Sequence, residues 1–170
     1  MNILLPNQTN LEVENNATVY DVALAISEGL ARNAVAGKVN GELVDLSHKV
    51  NSDDLVQIIT MKDEDGLKIY RHTCSHILAQ AVKSIFPTCL LAIGPVVENG
   101  FYYDFDFGET KVSDTDLARI EKKMRGIIQR KLPMVRREVS REEALNWAVA
   151  EAQDFKRELI EELPEGEAIS

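Results

Sequence analysis

Two histidines four residues apart stand in the segment His72-Thr73-Cys74-Ser75-His76. Residues at this spacing lie on one face of an α-helix, so the two imidazoles would project side by side. Imidazole titrates near neutral pH, and a pair of them can activate a water, hold a substrate group or bind a metal. The pair is therefore the first candidate for chemistry in this chain. The plain alternative is a pair of solvated histidines on a polar helix face.

A zinc site built on the two histidines would lack its remaining ligands. The metalloprotease pattern needs a glutamate directly after the first histidine, and Thr73 occupies that position. The other candidate donors are His48, Cys74 and Cys89 with scattered carboxylates, and none has the spacing of a known zinc site. We therefore expect no metal in this chain.

The histidines lie within a segment, 67–86, whose apolar pattern predicts an amphipathic helix. At about 100° per residue, the apolar side chains fall within roughly 140° of arc, the width of a buried stripe. These side chains are Cys74, Ile77, Leu78, Ala81, Val82 and Ile85. His72 and His76 lie nearly opposite, on the side of Ala79 and Lys83, so we expect them to face a groove, a second layer or solvent.

Residues 1–60 have the pattern of a small α+β unit. Thr18 and Asp21 form a capping signal for a helix that Gly29 is expected to close. Apolar runs bounded by turn residues predict strands at 3–5, 11–13, 34–39, 43–44 and 55–59. The charged segment 62–66 ends in glycine and is the predicted hinge to a second domain.

The second half begins with the histidine helix and continues as a hairpin followed by helices. Asn99-Gly100 separates the predicted strands 90–97 and 101–107, and Gly94-Pro95 predicts an irregularity in the first of them. A helix is predicted from Ser113 or Thr115 to Pro133. Its buried apolar seam would consist of Leu117, Ile120, Met124, Ile127 and Ile128. A strand at 134–139, a helix capped by Ser140 and a final helix containing Lys156 are predicted to follow.

Composition limits the function classes. The chain has 170 residues, 45% hydrophobic and 28% charged, with a net charge of −9. It has no apolar run long enough to span a membrane, no P-loop and no G-x-G-x-x-G motif, and its two cysteines fit a reducing, cytosolic setting. Lysines and arginines concentrate in residues 119–137, where they are either a surface for phosphates or a solvated helix face.

Three features together point to one family. They are the β-grasp-like order of residues 1–60, the segment 71–76, and Ala92-Ile93-Gly94-Pro95-Val96 leading to Asn99-Gly100-Phe101-Tyr102-Tyr103-Asp104. In this order and spacing they resemble the N-terminal part of the bacterial threonyl-tRNA synthetases. The resemblance implies an α+β chain: a β-grasp (ubiquitin-like) TGS domain at 1–61, a linker at 62–66, and the first part of an editing domain at 67–170 with a mainly antiparallel sheet and packed helices.

The resemblance also implies a reaction, the hydrolysis of serine wrongly attached to threonine tRNA. We expect His72 to orient or deprotonate the attacking water and His76 to hold that water or the terminal ribose. Lys156 resembles the lysine of the family's editing pocket and would stabilise developing negative charge or the 3′-terminal nucleotide. The expected substrate-binding residues are Gly94, Pro95 and Tyr103.

The sequence departs from the family at its C-terminus, where it stops without closing a recognisable element. In the family a later Asp-x-Cys segment and a histidine complete the editing pocket, and the catalytic and anticodon-binding domains follow. From these residues alone we expect no threonine activation, no tRNA charging and an editing half that lacks a wall. The resemblance implies tRNA(Thr) as partner, no membrane, a monomer, and no cofactor; ATP, magnesium, zinc and the homodimer belong to the full-length family.

Two alternatives stay open at this point. In alanyl-type editing domains the same His-x-x-x-His supplies two zinc ligands, although the N-terminal unit argues against that class. TGS domains also occur as non-catalytic partner-binding modules in stringent-response enzymes and some GTPases, a hypothesis that leaves the histidine helix without a role.

Overall fold

The computed structural model describes residues 1–133 and 135–170. The chain divides into two compact units, residues 1–71 and residues 72–170. Both combine helices with small, mainly antiparallel sheets, so the predicted α+β class is confirmed. Within the described ranges, no helix has both the length and the apolar composition needed to cross a lipid bilayer.

The first unit has the strand and helix order of a β-grasp. Strands β1 and β2 form an antiparallel pair, and β3 lies between β4 and β5 in a three-stranded sheet. A parallel bridge between Leu4 and Leu55 connects the two sheets. The elements are β1 Asn2–Leu4, β2 Asn10–Glu12, α1 Val19–Ile26, α2 Glu28–Asn33, β3 Ala34–Val39, β4 Glu42–Val44 and β5 Val56–Thr60.

Local sequence explains where α1 begins and where β3 turns into β4. The Thr18 hydroxyl accepts a hydrogen bond from the backbone N–H of Asp21 at 3.3 Å, and the Asp21 carboxylate accepts one from the Thr18 N–H at 2.8 Å. This reciprocal pair satisfies two otherwise unpaired donors at the helix start. Asn40 and Gly41 have φ values of 53° and 90°, the positive values that a two-residue type I′ turn requires.

The prediction that Gly29 closes α1 is wrong. The helix ends at Ile26, and Ser27 then caps a second short helix that contains Gly29. The Ser27 hydroxyl accepts from the N–H of Leu30 at 3.0 Å, which restarts the helix in a new direction.

The first unit buries its own core beneath α1. Burial of these apolar side chains supplies the main driving force for folding the unit. The fully enclosed members are Ile3, Ala17, Val19, Val22, Val39, Val50 and Val56.

The long helix α3 spans Glu64–Ile85, so it begins three residues before the predicted start. The last three residues of the predicted linker 62–66 form the first turn of α3. Asp63 accepts hydrogen bonds from the N–H and the hydroxyl of Thr60 at 2.8 and 2.9 Å. A Cβ on Gly66 would lie 1.9 Å from the Thr60 carbonyl oxygen, which shows how closely this turn packs on the end of β5.

The second unit contains the remainder of α3, a hairpin of short strands and three helices. Its elements are β6 Leu90–Leu91, β7 Val96–Val97, β8 Gly100–Phe101, β9 Phe105–Asp106, α4 Asp114–Gln129, α5 Arg141–Ala150 and α6 Asp154–Glu162. β6 pairs with β9 and β7 with β8, both antiparallel. The predicted hairpin and its irregularity at Gly94-Pro95 are confirmed. The two-residue loop is Glu98-Asn99, however, one residue earlier than Asn99-Gly100, because Gly100 pairs with Val97.

Helix α4 starts at the predicted Ser113 but buries a narrower seam than predicted. Ile120 and Ile127 are buried, whereas Leu117 and Ile128 are 59% and 55% exposed. The apolar residues of α3 and of the hairpin join a cluster with Ile120, Met124 and Ile127 only. Leu117 and Ile128 lie some 60–80° around the helix from that contact, so the cluster does not cover them.

Hydrogen bonds from Arg141 join the start of α5 to the end of α6. Ser140 and Glu143 form the predicted capping box of α5. The Arg141 guanidinium donates to carbonyl oxygens at the end of α6, those of Ile160, Glu161, Leu163 and Pro164.

Of the predicted strand 134–139, Met134 lies outside the described residues, and Val139 forms a single antiparallel bridge with Ile169.

Candidate active site

The two histidines of α3 contact each other directly. Their rings meet edge to face with centroids 4.5 Å apart, and the Nε2 atoms of His72 and His76 are 2.9 Å apart. One Nε2 must therefore donate a hydrogen and the other accept it, which requires at least one of the two rings to be neutral. The spacing of four residues along α3 produces this contact, as the sequence predicted.

His76 is held in its neutral form by its surroundings. Its pKa is lowered below the ordinary value of 6.5, first because partial burial disfavours the charged ring, and then because positive charge on His72 and on Lys156 repels the proton. A neutral imidazole at physiological pH can accept a proton, which is the state that a general base needs.

His76, Tyr103 and Lys156 line one cavity of about 510 Å³ in the second unit. The wall is mainly apolar, with a few polar groups converging on it, as in small-molecule sites. The sequence analysis placed Ala79 and Lys83 on the side of the histidines, but it did not identify the other lining residues, which are Gln80, Ser84, Leu91 and Trp147. Their contributions come from α3, β6 and α5, elements that are distant in sequence.

Lys156 reaches the cavity from the first turn of α6 and is fixed there. Its ammonium group donates to the carbonyl oxygen of Ala92 at 2.9 Å, across 64 residues of sequence. Burial lowers the pKa of Lys156, because the charged ammonium loses water in this position. The lysine thus carries its charge to the same cavity as His76.

Gln153 is the positioning residue that the sequence did not reveal. It is 3% exposed. Its side-chain oxygen accepts from the N–H of Leu91 at 3.1 Å, while its amide nitrogen donates to the carbonyls of Glu151 and Ala152. These bonds hold the start of α6 against β6. Nothing in the local sequence distinguishes Gln153 from a surface glutamine, since its partner Leu91 is 62 residues away.

Gly94 and Tyr103 form one wall of the site. A Cβ on Gly94 would lie 2.3 Å from Cδ2 of Tyr103, so only glycine allows this ring to lie against the backbone. The ring stacks on Phe105 with a centroid distance of 4.7 Å. Burial raises the pKa of Tyr103, which stays protonated as a hydrogen-bond donor.

Of the six residues predicted for the site, the structure brings five into one contiguous group. His76, Tyr103 and Lys156 line the cavity, His72 contacts His76, and Gly94 contacts Tyr103. Pro95 is not among the described residues of that lining; its carbonyl accepts from the N–H of Tyr102 at 3.4 Å within the hairpin.

The environment of α3 differs from the sequence prediction in one respect. Ala79, which was expected beside the histidines on an open side, is 5% exposed, and Ser75 is 1% exposed. The Ser75 hydroxyl bonds back to the His72 carbonyl at 2.8 Å, so this polar side chain is satisfied within the helix. Ala79 and Ser75 therefore do not belong to the exposed edge that carries His72 and His76.

Cys74 and Cys89 are free thiols. Over residues 1–133 and 135–170, no group of three or more His, Cys, Asp or Glu side chains is arranged to hold a metal ion. The donor set around His72 and His76 thus stops at two nitrogens, too few for the four-ligand site of a structural zinc.

Comparison with known proteins identifies the family of the chain. A family model described as the TGS domain matches residues 1–60. A threonine–tRNA ligase from Caldanaerobacter subterraneus subsp. tengcongensis is 48% identical over 170 residues, which is 100% of this chain and 26% of the relative. The chain belongs to the bacterial threonyl-tRNA synthetase family. It corresponds to the N-terminal region of those proteins. Two other threonine–tRNA ligases show similar matches: that of Nitrosomonas europaea is 45% identical and threonine–tRNA ligase 1 of Bacillus subtilis 44% identical, each over 99% of this chain and 26% of the relative.

The chain spans about a quarter of the length of these threonyl-tRNA synthetase relatives. The TGS match coincides with strands β1 to β5 and helices α1 and α2, and it ends at residue 60, before α3 begins. The histidine helix, the hairpin and the cavity all lie beyond the TGS match, in the part of the chain that the full-coverage relatives share.

Proposed function

We propose that this chain is the TGS and editing region of a threonyl-tRNA synthetase and that the cavity beside His76 hydrolyses seryl-tRNA(Thr). Residues 1–61 are the TGS domain and 67–170 the first part of the editing domain. The observation that carries the proposal is the convergence of His76, Tyr103 and Lys156 on one cavity, with His72 bonded to His76. The full-length protein would ligate threonine to tRNA(Thr), in the cytoplasm.

A separate hydrolytic site is needed because binding alone discriminates poorly between serine and threonine. Serine differs from threonine by one methyl group, and a pocket gains only about 1–3 kcal/mol from such a group. A second pocket that admits serine but has no room for the threonine methyl group selects in the opposite sense, because it accepts only the smaller amino acid. The wall of Gly94 and Tyr103 is suited to such exclusion because it is closely packed: a Cβ on Gly94 would overlap the Tyr103 ring, so the ring has little freedom to move toward the backbone and make room for a larger substrate.

Each residue of the site has its own role in ester hydrolysis. Water attacks the seryl carbonyl carbon, its proton passes to a histidine of the pair, and the bond from that carbon to the ribose oxygen breaks. The ribose oxygen takes a proton and leaves as a hydroxyl. The lowered pKa of His76 supports a neutral acceptor near the cavity. His72 accepts or relays the proton through the Nε2 contact, and the Lys156 ammonium stabilises the oxyanion or the terminal nucleotide.

The test is the rate at which the chain deacylates seryl-tRNA(Thr) and threonyl-tRNA(Thr), each compared with spontaneous hydrolysis. Selective release of serine is expected. His72→Ala and His76→Ala should lower the rate by about 10²- to 10⁴-fold, the usual contribution of general base catalysis. Lys156→Met should lower it by about 10²- to 10³-fold, as loss of an oxyanion partner does.

His48→Ala and Lys49→Met are the matched controls, because both side chains are exposed in a loop of the first unit. Controls that lower the rate as much as the site variants do would refute the proposal. So would the absence of selective hydrolysis both in this chain and in the full-length synthetase, and that outcome would leave the non-catalytic TGS-containing binding module as the function.

A glycine pair tests the selectivity wall. Gly94→Ala should displace the Tyr103 ring and change the ratio of serine to threonine release, because the new Cβ would overlap the ring. Gly100→Ala is the control in the same hairpin, since a Cβ there meets nothing within 4 Å. Equal selectivity in both variants would remove Gly94 and Tyr103 from the pocket.

A further inference from the structure

Helix α4 carries a one-sided row of cations that the proposed hydrolysis does not use. At about 100° per residue, Arg119, Lys122, Lys123 and the C-cap residue Arg130 fall within about 100° of arc and extend over roughly 16 Å. All four are exposed. The acidic residues of α4 lie outside this arc; they are Asp114, Asp116 and Glu121. We call the row the basic face of α4.

Most of the cations on this face are not paired with an acidic side chain of the described residues. Arg119 pairs with Asp116 at 2.6 Å, but Lys122, Lys123 and Arg130 make no ion pair with any described residue. By contrast Arg125, on another side of the helix, is paired with Glu121. The whole chain has a net charge of −9, so this row of exposed cations forms a positively charged surface on a protein that is negatively charged overall.

Gly126 lies in the middle of the basic face and has no structural reason to be glycine. It is exposed in the helix interior, where glycine costs stability relative to alanine because its backbone loses more freedom on folding. A Cβ added there would meet nothing within 4 Å, and φ at this position is not positive. Neither internal packing nor backbone conformation explains the residue. A glycine among cations does allow a bulky anionic partner to approach the helix backbone closely.

We propose that the basic face of α4 binds the phosphate backbone of the tRNA substrate, with Gly126 at the point of closest approach. A nucleic acid backbone presents phosphates at regular intervals, which suits cations on successive turns of one helix. The proposal rests on the proposed function only in naming tRNA as the substrate. The docking itself needs no ester cleavage.

The experiment measures binding of uncharged tRNA(Thr) transcript to the whole chain by fluorescence anisotropy over a series of salt concentrations. The double variant Lys123→Ala/Arg130→Ala should weaken binding at least 10-fold at low salt. It should also reduce the slope of log K against log salt concentration by about 1.5–2, close to one for each phosphate that is no longer neutralised. Arg125→Ala is the matched control, because it removes one cation of α4 that lies off the face, and it should change binding less than 2-fold.

Gly126→Ala separates docking from stability. It should raise the melting temperature, since alanine favours the helix, and at the same time weaken tRNA binding several-fold. Gly126→Leu should weaken binding further without unfolding the chain. A merely structural glycine would not show opposite effects on the two readouts.

Three results would overturn the proposal. They are equal binding by the double variant and Arg125→Ala, a salt slope that does not change, and a stabilised Gly126→Ala that binds as tightly as the unchanged chain. Any of them would leave the face to an acidic protein partner or to solvent. Hydrolysis of a seryl ester of adenosine, which is too small to reach α4, is measured in parallel. The α4 variants should leave it unchanged, so a failed docking site and a failed hydrolytic site give different results.

Discussion

At the scale of single residues, the function of the site depends on which groups are neutral and which are charged. The Nε2 contact of 2.9 Å between His72 and His76 requires a shared hydrogen, and the charge of Lys156 disfavours a proton on His76. The same lysine is half-buried and bonded to the Ala92 carbonyl, which limits its movement. A neutral imidazole therefore lies near a fixed ammonium group, and neither needs the other as an ion-pair partner.

The pKa of His76 is the first expected outcome. In the folded chain it should lie below 6.5, and Lys156→Gln should raise it toward that value because one positive charge is removed. NMR titration of the ring protons measures both. Lys83→Gln is the control: this lysine lines the same cavity, but its ammonium bonds the Cys89 carbonyl at 3.1 Å.

The sign of the pH dependence follows. Because the folded-state pKa of His76 is depressed, the unfolded chain binds the proton first, and the free energy of unfolding decreases as the pH falls below 6.5. A His76 pKa at or above 6.5, or one indifferent to Lys156→Gln, would contradict this account of the site.

At the scale of elements, the site depends on how α6 is held to the hairpin. Gln153 joins the start of α6 to β6 through its bond to Leu91, and Arg141 binds the carbonyls at the opposite end of α6. Both contacts satisfy backbone groups that would otherwise be unpaired at helix ends or strand edges. Lys156 lies three residues after Gln153, so its position in the cavity follows from this attachment.

Replacing Gln153 by alanine should destabilise the second unit by about 1–3 kcal/mol, because it leaves the Leu91 N–H without its partner in a partly buried position. The deacylation rate should fall as well, since Lys156 loses its anchored helix start. Urea unfolding and single-turnover deacylation measure the two effects. Gln129→Ala, at the exposed end of α4, should change neither. A Gln153 variant as stable and as active as the unchanged chain would show that α6 is held by other contacts.

At the scale of the whole molecule, the two compact units each contain a separate hydrophobic core. The first is built around Val19, Val22 and Val56, and the second joins Val82 of α3 to Ile120 and Ile127 of α4. A unit with its own core can unfold as a separate cooperative transition. The TGS match ends within the first unit, and all six predicted site residues lie in the second.

Ile3→Ala should therefore destabilise the first unit by about 2–5 kcal/mol, the usual cost of truncating a buried isoleucine, since Ile3 is 1% exposed. The second unit should keep its unfolding transition and its deacylation rate. Amide hydrogen exchange resolves the two units. Leu43→Ala, a substitution at a 49% exposed side chain of the same unit, should cost far less. Parallel loss of protection in both units would show that they fold as one.

The sequence by itself determined the elements and the residues able to do chemistry. Periodicity, capping residues and turn residues act over three or four positions, so Thr18, Ser113 and Ser140 identified helix starts, and Asn99-Gly100 a hairpin, without further information. The His72–His76 contact has the same local origin, because it follows from the helix repeat alone. The local rules failed at Gly29, and again for the buried seam of α4, where packing rather than periodicity decides which side is covered.

Only the tertiary structure decided which of these residues meet. Lys156 reaches the cavity of His76 and Tyr103 through contacts that span more than 60 residues, and Gln153, which holds it there, has no local signal. The need for glycine at position 94 depends on a ring nine residues away across the hairpin. Such contacts are set by the packing of elements against one another, and the pKa of His76 is set by the burial and charges that this packing creates. A site made of several elements therefore exists only once the chain has folded.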